Sequence, residues 1–255
     1  MFVVYNITMT LIIDADSIPY LAAYTANKNG YSLGQATGVI DSIIRKIFKN
    51  TNCTHFIAYV TGKRNFRFKV DATYKAQRDD KFKEENELYR PLVSYMIARY
   101  SCITVNGAEA DDLCSISHAH FDNSILAAID KDLLQSPGKH YNYRTDTFFE
   151  VEYIGDITRI GKKCIASGRK CFWMQMITGD SVDNIKGIRG KGPAFAYKLL
   201  CDLNTDSEME LAVREEYLKK YGNQANEEFN KNYKLLYMPS EGNIELPIPI
   251  DINNI

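Results

Sequence analysis

Nothing in this 255-residue chain marks it out by bulk composition. Acidic and basic side chains nearly cancel, 32 against 31, and the formal net charge is −1. An overall basic character, the usual announcement of a nucleic-acid binder, is therefore missing, although a balanced total leaves local asymmetry untouched. The six cysteines, Cys53, Cys102, Cys114, Cys164, Cys171 and Cys201, contain no CxxC pair and no regular framework. That argues against a zinc site or a disulfide scaffold and predicts reduced thiols in a cytoplasmic protein. Long apolar runs are also lacking. The N-terminal stretch 2–13 is broken by Asn6 and Thr8 and runs directly into Asp14, too short to span a bilayer and without a basic leader. No internal repeat or low-complexity segment occurs. What remains is 45% hydrophobic content, enough for a buried core in one large domain.

Buried β-type runs recur at 10–13, 54–60, 103–105 and 124–129, each separated from the next by at least one helix-length segment. Between the first two, Val39, Ile43, Ile44, Ile47 and Phe48 have amphipathic helix spacing. This alternation predicts an α/β fold with a mostly parallel sheet flanked by helices. From Trp173 onward the pattern predicts helices alone, with Leu199, Leu200, Leu211, Val213, Leu218, Phe229, Leu235 and Leu236 on the apolar face. The tail, with Pro247 and Pro249, reads as extended.

Ligands of open parallel sheets bind beyond the carboxyl ends of the strands, and here those ends are acidic. Asp14 and Asp16 follow the first run, Glu109, Asp111 and Asp112 the third, and Asp130 and Asp132 the fourth; Asp180 and Asp183 lie three residues apart further on. A single pair of this kind is readily a helix cap. Four acidic groups at equivalent ends need cations, because carboxylates about 4 Å apart repel by roughly 4 kcal/mol at an effective dielectric near 20. Oxygen donors without His or Cys select hard ions, Mg²⁺ or Mn²⁺, and a pair of them suits phosphodiester hydrolysis.

Two basic regions accompany the acids. Lys63, Arg64, Arg67, Lys69, Lys75, Arg78, Lys81 and Lys83 are interleaved with Phe66, Phe68 and Tyr74, which suits phosphates and stacked bases; a solvated helix is the alternative, since five acidic residues lie nearby. Lys162, Lys163, Arg169, Lys170, Lys186, Arg189, Lys191 and Lys198 surround the turn Gly187–Ile188–Arg189–Gly190–Lys191–Gly192, where backbone amides can approach an anion ahead of a helix opened by Pro193.

The segments IIDADS (12–17), FRFKVDATYKAQR (66–78), GAEADD (107–112), IDKDLLQ (129–135) and GDSVDNIKGIRGKGP (179–193) together resemble the 5′-nuclease, or flap endonuclease, family, in its order and over most of the chain. The resemblance implies a PIN-like catalytic core over 1–160 with a helical arch at about 63–95. It also implies a helical DNA-binding part over 165–240 with a helix–three-turn–helix at about 172–202, followed by an extended tail over 241–255. It assigns Asp14, Glu109, Asp111, Asp130, Asp132, Asp180 and Asp183 as metal ligands, with Asp112 a further acidic position. Tyr74, Lys75 and Arg78 become arch residues at the scissile phosphate. Lys63, Arg67, Gly187, Arg189, Gly190, Lys191, Gly192 and Lys198 become DNA contacts. Two Mg²⁺ or Mn²⁺ ions and a monovalent cation such as K⁺ at the glycine turn are implied. So is a monomer, cytoplasmic or in a phage-infected host, acting on DNA 5′ ends at flaps, nicks, gaps or duplex ends, or on RNA–DNA hybrids.

The chain departs from that pattern at Tyr59–Val60–Thr61–Gly62–Lys63, where a carboxylate is expected and none is found. Either Asp16 partly replaces it or the first metal site is weak, and Thr61 could hold a metal-bound water. In the turn, Lys191 stands at a usually apolar position and Ala194 at a usually basic one. Two other readings compete. IIDADSI with GDSVD also resembles a haloacid-dehalogenase-like phosphatase using Asp14 and Asp16, and the missing carboxylate fits a non-catalytic DNA-junction binding module.

Overall fold

The computed structural model describes residues 9–77, 86–242 and 245–255. Arg78 and the middle of the expected arch lie outside the described residues. In chain order the elements are β1 (Thr10–Asp14), α1 (Ser17–Asn29), α2 (Leu33–Thr51), β2 (His55–Thr61), α3 (Arg67–Val70), α4 (Tyr89–Tyr100), β3 (Ile103–Val105), α5 (Ala110–His120), β4 (Ser124–Ala127), β5 (Gly138–Asn142) and β6 (Thr147–Val151). There follow β7 (Ile157–Ile160), β8 (Lys163–Ala166), α6 (Gly168–Thr178), β9 (Gly179–Asp180), β10 (Ile185–Lys186), α7 (Pro193–Leu200), α8 (Asp206–Tyr221), α9 (Ala225–Leu236) and β11 (Ile250–Asp251).

The first five strands are parallel in the order β3-β2-β1-β4-β5, with β6 antiparallel on β5 and β11 antiparallel on β2. All five residues of β1 are buried, as a central strand covered on both faces requires. Period-two alternation sends Leu11 and Ile13 into a cluster with Ile40, Ile44, Ile47 and Met96 from α2 and α4, and Ile12 into a second cluster with Leu113 and Cys114 of α5. Each such aliphatic side chain contributes about 1.5–3 kcal/mol on burial. Helix α2 starts where Ser32 and Gln35 form a reciprocal capping box and stops at Asn52, which takes the left-handed conformation with φ 51°.

The helical part packs around Phe172, Trp173, Tyr217 and Phe229. Here several expectations change. Leu211 and Leu218 are each 62% exposed, and the buried stripe of α8 is Met209, Val213 and Tyr217 instead. The expected break at 160–165 falls inside the β7–β8 hairpin, which shares the core of the helical part through Ile157 and Ala166. The tail is not merely extended, since β11 pairs with the first residues of β2. No helix among the described residues is long and apolar enough to cross a membrane.

Candidate active site

Strand order reverses direction between β1 and β4, and the cleft lies at that switch point, beyond the strand ends. Asp14 is the last residue of β1. Two residues on, the Asp16 amide donates to Asp14 Oδ1 at 3.1 Å, and Asp16 Oδ1 in turn accepts the Thr61 amide at 2.6 Å. Glu109 caps α5 and Asp111 lies in its first turn, where a helix N-terminus favours negative charge. Asp130 accepts the Asp132 amide at 2.9 Å, and Gln175 of α6 donates to Asp132 Oδ1 at 2.6 Å. Asp180 and Asp183 stand on the tight β9–β10 hairpin, where the Val182 amide holds Asp180 Oδ1 at 2.8 Å.

Asp14, Asp16, Glu109, Asp111, Asp130, Asp132, Asp180 and Asp183 all line one cleft of about 190 Å³. Oxygens of Asp14, Asp16 and Asp111 lie within 4.8 Å of one another. Burial, then Asp16 and Asp130, push the Asp14 carboxyl well above the usual range. Burial, then Asp14 and Asp130, do the same to Asp111, and burial followed by Asp130 pushes Asp132 up to about 7. Asp180 moves the other way: burial would raise it, but the Lys131 ammonium at 2.7 Å and two backbone amides outweigh that and hold it low. An oxygen-only donor set whose members resist ionising together fits a hard divalent cation.

The segment expected to form the arch reaches this cleft. The buried Tyr74 hydroxyl bonds Glu109 Oε2 at 2.8 Å and Asp183 Oδ2 at 2.9 Å. Lys75 Nζ is bonded to Glu109 Oε1 and lies 3.9 Å from Asp183 Oδ2. Its backbone is left-handed, φ 58°, and its amide donates to the Asp183 carbonyl at 2.9 Å.

Four expected site residues have other roles. Arg67 lines the cleft but is 1% exposed, and its guanidinium is committed to internal partners: it grips both oxygens of Asp112 at 2.7 and 2.8 Å and the Leu235 carbonyl at 2.9 Å. Asp112 also accepts the Glu109 amide at 2.9 Å and does not line the cleft, so it positions Glu109 and Arg67 instead of facing an ion. Gly187 is buried against Gly179, where a Cβ would meet the Gly179 nitrogen at 2.3 Å, so glycine serves a backbone approach there and not a DNA contact. Lys191 is drawn to Glu216 at 3.2 Å and over the Phe195 ring. By contrast Lys63, Arg189, Gly190, Gly192 and Lys198 are exposed. At Gly62 a Cβ would lie 2.6 Å from Asn106 Oδ1, so the carboxylate absent from this stretch has no room at that residue. Thr61 Oγ1 accepts the Ala110 amide at 2.8 Å, which commits one of its two lone pairs to the start of α5. The sequence motifs assign no role to Lys131 or Gln175; Lys131 sits between Asp130 and Asp132, whereas Gln175 lies inside the apolar run 171–177 of α6 and carries no local signal.

The raised carboxyls set an expectation for the metal-free protein. An acid whose folded pKa exceeds its unfolded value near 3.8 binds more protons when folded, so its stabilising contribution falls as pH rises, for Asp132 through about 7. Divalent cations remove that penalty. Saturating Mn²⁺ is expected to raise the melting temperature more at about pH 8 than at about pH 5.5. At 100 times Kd the gain is about 2.7 kcal/mol, roughly 5–10 °C. A melting shift that does not grow with pH would contradict the assignment.

Sequence comparison extends these observations. Residues 9–158, more than half of the chain, match the profile of the 5′-3′ exonuclease, N-terminal resolvase-like domain. A 5′-3′ exonuclease of Aquifex aeolicus is 25% identical over 248 residues, covering 92% of this chain and 83% of its own length. DNA polymerase I of Synechocystis is 25% identical over 233 residues, covering 80% of this chain but only 23% of the polymerase. Among solved structures, the T5 D15 protein crystallised with metal ions superposes with a TM-score of 0.62 at 18% identity, over 91% of this chain and 90% of that one. The phage T5 D15 flap endonuclease in a complex with DNA and metal ions superposes with a TM-score of 0.56 at 14% identity, over 89% and 98%.

Proposed function

Since the chain belongs to the 5′-3′ exonuclease family, N-terminal resolvase-like domain, we propose that its acidic cleft hydrolyses phosphodiester bonds at or near DNA 5′ ends. The observation that carries this reading is the convergence of eight carboxylates on one cleft, three with oxygens within 4.8 Å of one another. Asp14, Asp16, Glu109 and Asp111 would hold one Mg²⁺ or Mn²⁺, and Asp130, Asp132, Asp180 and Asp183 a second. When bound, such ions polarise the phosphoryl group and lower the pKa of a water.

The chain's own groups do the rest. Lys75, now neutralised by Glu109 and Asp183, is the cation on hand to stabilise charge on the transferred phosphate. Tyr74 bridges Glu109 and Asp183 and so fixes their separation. Arg78 would share the role of Lys75. The amides of the exposed residues Gly190 and Gly192, with Arg189 and Lys198, would grip duplex phosphates, with K⁺ at the same turn; backbone contacts of this kind carry no sequence information. Support comes from the flap endonuclease of phage T5, whose complex with DNA and metal ions has this fold. In this reading the enzyme works as a cytoplasmic monomer, and RNA–DNA hybrids are among its substrates. A haloacid-dehalogenase-like phosphatase would leave Tyr74, Lys75 and the glycine turn without work.

Cleavage of a 5′-labelled flap, a nicked duplex and an RNA–DNA hybrid, in Mg²⁺ and then Mn²⁺, tests the function. Hydrolysis of a phosphomonoester alone, or tight flap binding without cleavage in either metal, would overturn it. Lys75→Ala should slow single-turnover cleavage by about 10²–10³-fold while changing DNA affinity little; an unchanged rate would remove Lys75 from the site. For Asp16, which reaches the Thr61 amide in the stretch lacking a carboxylate, alanine should raise the half-saturating Mn²⁺ concentration by roughly 10–100-fold. Equal activity of wild type and variant at limiting metal would rule out a compensating ligand.

A further inference from the structure

The β7–β8 hairpin is not accounted for by the cleft or by the glycine turn. Its ten residues, 157–166, contain Arg159, Lys162 and Lys163 and no acid. Strand alternation divides its faces. Ile157 and Ala166 pair across the hairpin and are buried with the helical core, and Arg159 pairs with Cys164 on the same side. Cys164 Sγ donates to the Pro193 carbonyl at 3.0 Å, which sets the hairpin beside the first residue of α7, directly after Gly192. On the other face Ile165 and Ile160 are 56% and 62% exposed, next to Lys163, with Lys162 at the tip beside the left-handed Gly161. An outward apolar strip flanked by amines is costly to leave in water, and its chemistry matches a nucleic-acid backbone, where apolar sugar faces alternate with phosphates.

We propose that this hairpin is a second duplex-DNA contact, continuous with the glycine turn and lengthening the stretch of backbone that the protein holds. The proposal rests on the nuclease reading above. Phosphates recur about every 3.4 Å of helix axis on each strand, so a duplex seated on Gly190 and Gly192 presents further phosphates to a hairpin packed on the same helix. Lys162 and Lys163 would pair with those phosphates, and Ile160 and Ile165 would lie against the intervening sugars, while Arg159, on the opposite face, donates to the Gly161 carbonyl at 3.0 Å and braces the tip. Such contacts add affinity and salt dependence without sequence preference.

The test is the salt dependence of binding to a nicked duplex in EDTA, read by fluorescence anisotropy. Replacing Lys162 and Lys163 together by Ala should make the slope of log affinity against log salt shallower by about 2, since each phosphate contact contributes about 0.9. Lys162→Glu with Lys163→Glu at the exposed tip serves as a second variant should the alanine pair perturb folding, and it should weaken binding further. Wild-type slopes in both variants would overturn the proposal. So would an unchanged slope combined with an Ile160→Ser and Ile165→Ser variant that abolishes self-association in sedimentation, because the strip would then belong to a protein interface. Wild-type protein that neither binds nor cleaves the duplex would instead sink the nuclease reading itself.

Discussion

Asp111→Asn is expected to lower single-turnover DNA cleavage by about 10³-fold or more and, at the same time, to raise the melting temperature of the metal-free protein. The first effect follows from losing an ion worth several kcal/mol of charge stabilisation, at a factor of ten for each 1.36 kcal/mol. The second follows from the same residue's surroundings. Burial and the charges of Asp14 and Asp130 already make the ionised form of Asp111 costly, and a neutral isostere relieves that strain when no cation is present. A carboxylate kept for structural reasons would lose stability on substitution, so the opposite signs of the two effects separate the roles. Paired measurements of cleavage rate and melting in EDTA decide the matter; a normal rate in Mg²⁺ would disprove the ligand assignment.

Arg67→Ala is expected to cost about 3–5 kcal/mol of folding stability, read from urea unfolding. The guanidinium is 1% exposed and holds Asp112 by two hydrogen bonds, with Glu109 at 3.4 Å. Removing it leaves the buried Asp112 carboxylate without its cation, leaves Glu109 to Lys75 alone, and frees the Leu235 carbonyl that ties α3 to α9. If the loss comes from stranded charge, Arg67→Met combined with Asp112→Leu should recover much of it, because an apolar pair of similar volume needs no partner. A loss below about 1 kcal/mol for the single change would mean that water compensates the pair.

The contrast between these two residues shows what could be read from the chain. The carboxylates at the strand ends were legible because parallel topology sends every such end to one edge, and β1, β2, β3 and β4 fall where their apolar runs predict. Arg67 was not, since a basic residue between Phe66 and Phe68 looks the same whether it faces solvent or a buried acid. Asp112 differs from Asp111 only by its direction from the helix, which motif matching does not encode. Strand β6, TFFEV, holds Phe148, Phe149 and Val151 but is an edge strand with four of five residues exposed, so its place depends on pairing with β5, and β11 depends on a contact with β2 almost 200 positions away along the chain. Leu211 and Leu218 matched an apolar face by type, while the packing of α8 against α6 selected Met209, Val213 and Tyr217.

The junction between residues 73–75 and the β9–β10 hairpin has a kinetic consequence. Lys75 donates its amide to the Asp183 carbonyl, Asn184 donates its side-chain amide to the Thr73 carbonyl at 2.8 Å, and both Lys75 and Asn184 adopt left-handed backbones. Those two conformations are unfavourable alone and persist because each loop braces the other. The ordering entropy of the 73–75 backbone is therefore met during folding. If Lys75 acts as proposed, its backbone is already placed by the β9–β10 hairpin, and engagement of a phosphate there would proceed by an exchange of partners at its amine.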